Sequence, residues 1–419
     1  MSRRCAAASV FLIEDMPQNT SQLLKSPPNF KVCTSSWLNP LIERFCMGVD
    51  LSTDDPYDIW KTAFGFQVKQ LYNRHSWAGL APAAALTLFD TFVNNRPRVG
   101  YRRQEYPIVR ATAALCLLNQ YEKEGGPELL VSAGRHLDWL VENSCRGYSN
   151  FCWGLGFPYG AGPTVVYDAN TPLSTMTPYG LEAMVRYSAV TGEDRFRFAI
   201  ESIFRFFDDD IRVMAEDHES MATSYGPFMD RIVTNAVSYT MYSLVLALPY
   251  VSRLRERIEQ KIGKLYRYIQ QAQRPDGSWL YSPQGRSFID CFHSCIVLKN
   301  VYKTNPAQPL PGSENLIAAG YSYLKQAFFD EKRCLFRRFS LANKPGIVQF
   351  DLYDNAEVLN LAVLLGDRHL AVKLFDSIRV NFCRGTDVYS QIDVTGTLRN
   401  RNTLRWAVMP FLHAASQMI

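Results

Sequence analysis

The sequence predicts an all-α protein, an (α/α)6 toroid. Three observations lead there. Helix-length segments alternate between a kind that is apolar all round and a kind with one charged face. Links within a pair are short and links between pairs are long. Strand-like alternation of apolar and polar residues is nearly absent. A helix apolar on every side is buried and an amphipathic one lies at the surface. An open solenoid needs polar end caps, whereas a dedicated inner and outer member in every pair suits a closed circle.

Residues 1–60 lack clear periodicity and read as an irregular lead-in to a single toroid domain over 61–419. The inner members are 107–121, 177–190, 235–251, 289–302, 354–365 and 403–416. The outer members are 127–143, 194–207, 255–271, 315–329 and 367–380, and an early helix over 78–93 (AGLAPAAALTLFDTFV) is expected to supply the sixth. Inner-to-outer links such as EKEGGPE, TGEDR and GDR are turn-like. The long connectors 144–174, 208–232, 272–288, 330–353 and 381–402 must all emerge on the opposite face. Long loops on a rigid scaffold are where function concentrates, so a funnel at the N-terminal ends of the inner helices is the expected site.

Composition narrows the function classes. Hydrophobic residues make up 47% and charged residues 20% of the 419 residues, which excludes global disorder. The net charge of +5 is spread along the chain, gives no nucleic-acid footprint and mildly favours an anionic ligand. The ten cysteines are scattered without a CxxC pair and predict reduced thiols in a cytoplasmic protein. The apolar stretch 5–13 is short for a signal peptide, and no run long enough for a membrane span is expected. Cys291, His293 and Cys295 form a Cys-x-His-x-Cys string, but on a helix His293 points away from the two thiols, so no metal site is expected. No cofactor is expected either, since the glycines of 150–163 do not follow a strand.

The long connectors hold the candidate residues. In 272–290, Trp279 and Tyr281 alternate with Leu280 and put two rings on one side. Asp290 and His293 stand three apart at a helix start and share a face, as a pair that moves protons requires. The alternative is that Asp290 caps the helix and His293 is a satisfied core residue. In 150–174, Trp153, Phe157, Tyr159 and Tyr167 make an aromatic cluster suited to sugar stacking, and Asp168, Asn170 and Thr171 can bond hydroxyls. The segment 223–235 brings Tyr225, Asp230, Arg231 and Asn235. Before the fifth inner helix, Asp351 and Tyr353 offer a carboxylate beside a phenol, while Asp354 reads as that helix's cap. Arg399, Arg401 and Arg405 follow, with Arg405 the candidate for holding a carboxylate.

Four segments carry a resemblance: NTPLST (170–175), YSAVTGEDRF (187–196), RPDGSWLYSPQGRSFIDCFHSCIVLKNV (274–301) and FDLYDNAEVLNLAVLLGD (350–367). Together they resemble the bacterial VpsJ-like polysaccharide biosynthesis proteins, encoded among exopolysaccharide and O-antigen functions. That family's DGSW-Y segment, followed by an IDNFHTG-like one, is matched here by Asp276-Gly277-Ser278-Trp279 and by IDCFHSC, which keeps Asp290 and His293. Its later PID-x-H-type segment is matched by Asp351 alone. The family in turn resembles the six-hairpin toroids of uronyl hydrolases, polysaccharide lyases and glucuronyl C5-epimerases.

The resemblance implies a carbohydrate in the funnel, either a polysaccharide or a lipid-linked oligosaccharide that contains uronate. Epimerase-, lyase- or hydrolase-type acid/base chemistry would then act on it. The catalytic candidates are Asp290, His293, Asp351 and Tyr353. The substrate-binding candidates are Trp153, Tyr159, Asn170, Tyr225, Trp279, Tyr281 and Arg405. Two alternatives stay open: a non-catalytic carbohydrate-binding assembly factor that contacts the glycan-assembly machinery, and an isoprenoid-handling toroid, to which the Gln273…Asp276-Gly277-Ser278-Trp279 string gives local support.

Overall fold

Six helical hairpins close into a ring in the computed structural model, which describes residues 35–285 and 287–418. The chain order is α1 (Ser35–Cys46), α2 (Ala63–Arg74), α3 (Ser76–Leu88), α4 (Pro107–Glu124), α5 (Pro127–Glu142), α6 (Thr177–Thr191) and α7 (Arg197–Arg205). Then come α8 (Thr234–Ala247), α9 (Arg255–Ala272), α10 (Cys291–Thr304), α11 (Ser313–Ala327), α12 (Leu352–Leu364), α13 (Arg368–Phe382) and α14 (Met409–Ser416). The even-numbered helices from α4 to α14 form the inner ring. Each packs on the next, and α14 returns to α4.

The division follows from side-chain chemistry. Every residue of α8 is buried, because its sequence carries no charge and can be enclosed on all sides. In α9 the buried residues are Ile258, Ile262, Leu265, Tyr266 and Ile269, a single stripe, while Arg257 and Arg267 face water. Proline at the first or second helical position starts α4, α5, α6 and α14, where its missing N–H is not needed.

The sixth outer helix is α1, not the segment 78–93. It packs on α4 and α14, and Trp37 meets Phe375 and Phe411 at ring-centroid distances of 5.9 and 6.3 Å. Leu38, Leu41, Ile42 and Phe45 make a buried i, i+3, i+4, i+7 stripe that Pro40, inside the helix, disguises in the sequence. Part of the expected irregular lead-in is therefore a wall of the ring. The helices α2 and α3 instead form a hairpin on the face of the long connectors, with α2 against the ribbon at Tyr159–Gly160. Trp77 on α3 is 85% exposed. By length and composition, Ser76–Val93 is the one described helical run apolar enough to cross a membrane, and only 11% of it is buried. The expectation that no such run exists is corrected here, since Asp90 is its sole charge.

The long connectors contain short antiparallel ribbons that the sequence did not reveal. Tyr159–Gly160 pairs with Val166–Tyr167, and Val213–Glu216 with Met221–Thr223. Val348–Asp351 joins Asp387–Asp393 and Leu398–Arg401 in one small sheet. Strands of two to seven residues leave too little period-two pattern to read.

Candidate functional site

The N-terminal ends of α10, α12 and α14 meet at one end of the ring. Asp290 ends a two-residue strand and His293 opens the first turn of α10. The His293 Nδ1 lies 2.8 Å from both carboxylate oxygens of Asp290. The side chain of Asp290 is only 2% exposed, and that of His293 is 20% exposed. Asp290 does not cap α10 with its carboxylate. That role falls to Asp354 of the neighbouring helix, whose Oδ1 accepts from the Phe292 backbone N–H at 3.0 Å. The carboxylate of Asp290 is thereby left to orient the imidazole. With Nδ1–H committed to Asp290, the Nε2 of His293 is the ring atom available to a ligand.

Asp351 and Tyr353 stand at the start of α12, but neither is an open group. The Asp351 Oδ1 caps α12 through the Tyr353 N–H at 2.9 Å. Its Oδ2 accepts from Trp406 Nε1 at 3.0 Å, Gln391 Nε2 at 3.1 Å and Arg338 at 3.3 Å. Burial pushes its pKa above the ordinary carboxylate value, against the pull of Arg338 and these donors. Asp354 is pushed up much further by burial, and its Oδ2 has no partner. The phenol of Tyr353 is raised well above its usual value by burial and by the neighbouring Tyr179 and Glu357. Its ring packs with Phe292 and Trp406 at 4.9 and 4.8 Å. Arg338 is the hub. Its guanidinium donates to Tyr57 Oη at 2.6 Å and feels Asp351, Asp354 and Asp290.

Beside His293 stands a wall of tyrosines. Tyr281 stacks on Phe288 and packs on the His293 ring, both at 4.6 Å. Arg231 donates to Tyr281 Oη at 3.2 Å and lies 4.7 Å over the Tyr225 ring. Tyr159 and Tyr167 are cross-strand partners stacked at 6.5 Å.

Other expected site residues lie elsewhere. Trp153 is 1% exposed, its indole N–H bonds Leu140 O at 3.0 Å and its ring lies against Gly180, where a Cβ would come within 2.8 Å. Trp279 is its counterpart in a later hairpin, bonded to Ile269 O at 3.0 Å and packed on Gly320. Both indoles cap carbonyls of the preceding outer helix and offer no face to a sugar. Asn170 braces a loop, exchanging bonds of 2.9 and 2.6 Å with the Arg146 backbone. Asn235 lies inside α8 rather than at its cap. Arg405 does hold a carboxylate, but an internal one. Its Nε bonds Asp55, which Arg405 and Lys61 hold down to about pKa 2 despite full burial. Sequence reasoning missed Arg338, Tyr57, Trp406, Lys69 and Lys344. No local signal separates Arg338 from Arg337, which is exposed and paired with Asp330.

Beneath this end of the ring, the axis is lined by Tyr179, Glu182, Tyr239, Lys299, Lys303, Glu357 and His413. Lys299 pairs with Glu357, and Lys303 with Glu182 at 2.7 Å. Among the described residues no group of three His, Cys, Asp or Glu could hold a metal ion.

No family model and no curated protein sequence matches the chain. Solved structures do. A sugar epimerase from a ruminal bacterium matches with a TM-score of 0.55 at 12% identity, covering 76% of this chain and 89% of that one. The cellobiose 2-epimerase of Bacillus thermoamylovorans gives 0.57 at 8%, covering 81% and 98%. A family 76 α-mannanase of Bacteroides thetaiotaomicron gives 0.56 at 8%, covering 87% and 98%. At this identity the likeness shows the (α/α)6 toroid fold.

Proposed function

We propose that the chain modifies a carbohydrate by proton transfer, with His293 as base and Asp290 as the residue that positions it. The observation that carries this is the Asp290–His293 pair, with both carboxylate oxygens on Nδ1 and Nε2 left for substrate. The carbohydrate epimerases and glycoside hydrolases among the fold neighbours support a sugar as substrate. Tyr159, Tyr225 and Tyr281, partly exposed beside His293, supply aromatic surface and phenol groups to a sugar.

Of the acid/base reactions considered, epimerase- or lyase-type removal of a carbon-bound proton fits better than hydrolysis. Hydrolysis needs a second carboxylate facing the glycosidic bond. Asp351 is fully buried under four donors, and Asp354 caps α10 from within the core. The resemblance to VpsJ-like proteins supports a place in exopolysaccharide or O-antigen assembly, in the cytoplasm, on a uronate-containing or lipid-linked glycan. Incubating the protein with candidate glycans in heavy water and reading deuterium uptake by mass spectrometry tests the proposal. Uptake that disappears in His293→Ala is expected, and uptake undiminished in that variant refutes it.

A binding role without turnover is favoured by one observation. Among the described residues His293 is the one imidazole packed on this aromatic wall, while His413 and His136 are buried elsewhere with pKa values near 3 and 4. Ligand binding with no deuterium uptake in any glycan would establish that reading.

A further inference from the structure

Resting on the carbohydrate reading, we propose that Arg231, Lys69 and Lys344 form an anion subsite beside His293, which seats an oxyanion carried by the glycan. The group is either a uronate carboxylate or a phosphate ester.

Two cations line the tyrosine wall and a third acts on it, and among the described residues none of them has a carboxylate partner. Arg231 lies over Tyr225, Tyr281 and Tyr167 at 4.7, 5.6 and 6.0 Å, and among the described residues its guanidinium bonds the Tyr281 phenol and the Ala161 carbonyl alone. Its Nε is buried with no acceptor. The Lys69 ammonium lies 4.3 Å from the Tyr159 ring centroid. Arg231 and Lys69 carry the geometry of the subsite, and Lys344, exposed on its loop, adds a third positive charge that both Tyr159 and Lys69 feel. Among the described residues none of the three is ion-paired with a carboxylate, in contrast to Lys61, Lys299 and Lys303. Asp230, next in sequence to Arg231, spends its oxygens on the Tyr167 phenol and on the backbone N–H groups of Tyr225, Gly226 and Arg231.

Like charges gathered in a partly enclosed space repel one another, and an unpaired guanidinium donor forfeits a hydrogen bond. An entering oxyanion relieves both. The cations already leave a mark on Tyr159: burial alone would raise its phenol, yet Lys69, Arg231, Lys344 and Arg338 together hold it below the usual value. The subsite connects to the proposed base through one ring, since Tyr281 touches Arg231 on one side and His293 on the other. A sugar stacked on this wall with its anionic group on Arg231 would have its ring carbons beside His293.

Calorimetric titration of the full chain with cellobiose, cellobiuronic acid, glucose 1-phosphate and inorganic phosphate tests this, at low and at physiological salt. At least one sugar bearing an oxyanion is expected to bind about tenfold or more tighter than cellobiose. The gap should narrow as salt rises. Preference for cellobiuronic acid names the carboxylate as the natural group, and preference for glucose 1-phosphate names the phosphate. In Arg231→Gln, Lys69→Met and Lys344→Met the ratio of acidic to neutral affinity should fall, approaching one in the triple variant. Arg231 is packed among rings and its variant risks misfolding, so Lys344→Met, on an exposed loop, carries the test by itself. Equal affinity for acidic and neutral sugars in the native chain, no binding of any probe, or a ratio unmoved in Lys69→Met and Lys344→Met each overturns the subsite. Deuterium uptake read on the same samples separates the two claims. Acid preference without uptake leaves the subsite and removes the chemistry, and uptake without acid preference does the reverse.

Discussion

On the ring axis, Lys299 is buried, Lys303 is mostly so, and each faces a glutamate. At the open end, Arg231, Lys69 and Lys344 keep company with tyrosine rings instead. The first set is balanced within the fold, so its charges hold helices together and ask nothing of a ligand. The second set has no carboxylate partner among the described residues and stands where solvent reaches it. A folded chain tolerates that imbalance at its surface because water offsets it, and it tolerates none at the core. The contrast separates charges that build the toroid from charges that serve it.

The largest effect that sharpens this contrast falls on the proposed base. His293→Ala should lower turnover by about 100- to 10,000-fold, with an unchanged far-ultraviolet circular dichroism spectrum. Asp290→Asn should lower turnover less and shift the pH profile, because the imidazole stays in place but loses its orienting carboxylate. Next comes the axis. Lys299→Met strands Glu357 in the core, and urea denaturation should show a loss of about 3–5 kcal/mol. Adding Glu357→Leu should restore most of it, since the pair is then replaced rather than broken.

A pH scan probes the axis in another way. His413 is held down to about pKa 3, first by burial and then by Lys303 and Lys299, with Glu182 opposing. The folded pKa lies below the unfolded one, so the unfolded chain binds the extra proton between them. This contribution to stability is complete above about pH 6.5 and declines as pH falls towards 3, at up to about 1.4 kcal/mol per pH unit. Thermal melts should show the decline, and His413→Gln should flatten it.

Lys69→Met marks the other side of the comparison. Stability should move by no more than about 0.5 kcal/mol, since no buried partner is left behind. Smallest in its effect on the ligand, Asn170→Ala removes a loop brace, should lower stability by less than about 1 kcal/mol and should leave sugar affinity unchanged. A drop in affinity there would put the 144–174 connector back among the binding elements.

Much of the ring was legible beforehand because its information is local. The uncharged run of α8 and the five-residue stripe of α9 declare inner and outer helices from their own side chains. Asp290 and His293 were legible for the same reason, being three apart on one helix. Trp153, Trp279 and Asn170 were misassigned because aromatic and amide groups in loops look alike whether they face a ligand or a helix end. Their carbonyl partners, Leu140, Ile269 and Arg146, lie 10 to 24 residues away.

The sequence by itself determined a closed circle of helical pairs with its long connectors on one face, since the periodicity of buried positions follows from hydrophobicity alone. Tertiary structure decided which charges are balanced. Arg405 finds Asp55 across 350 residues of chain, and Arg338 finds Tyr57 across 281, whereas Arg231 finds no acid at all among the described residues. Ion pairing depends on separations of a few ångströms between distant segments, and no pattern along the chain encodes that.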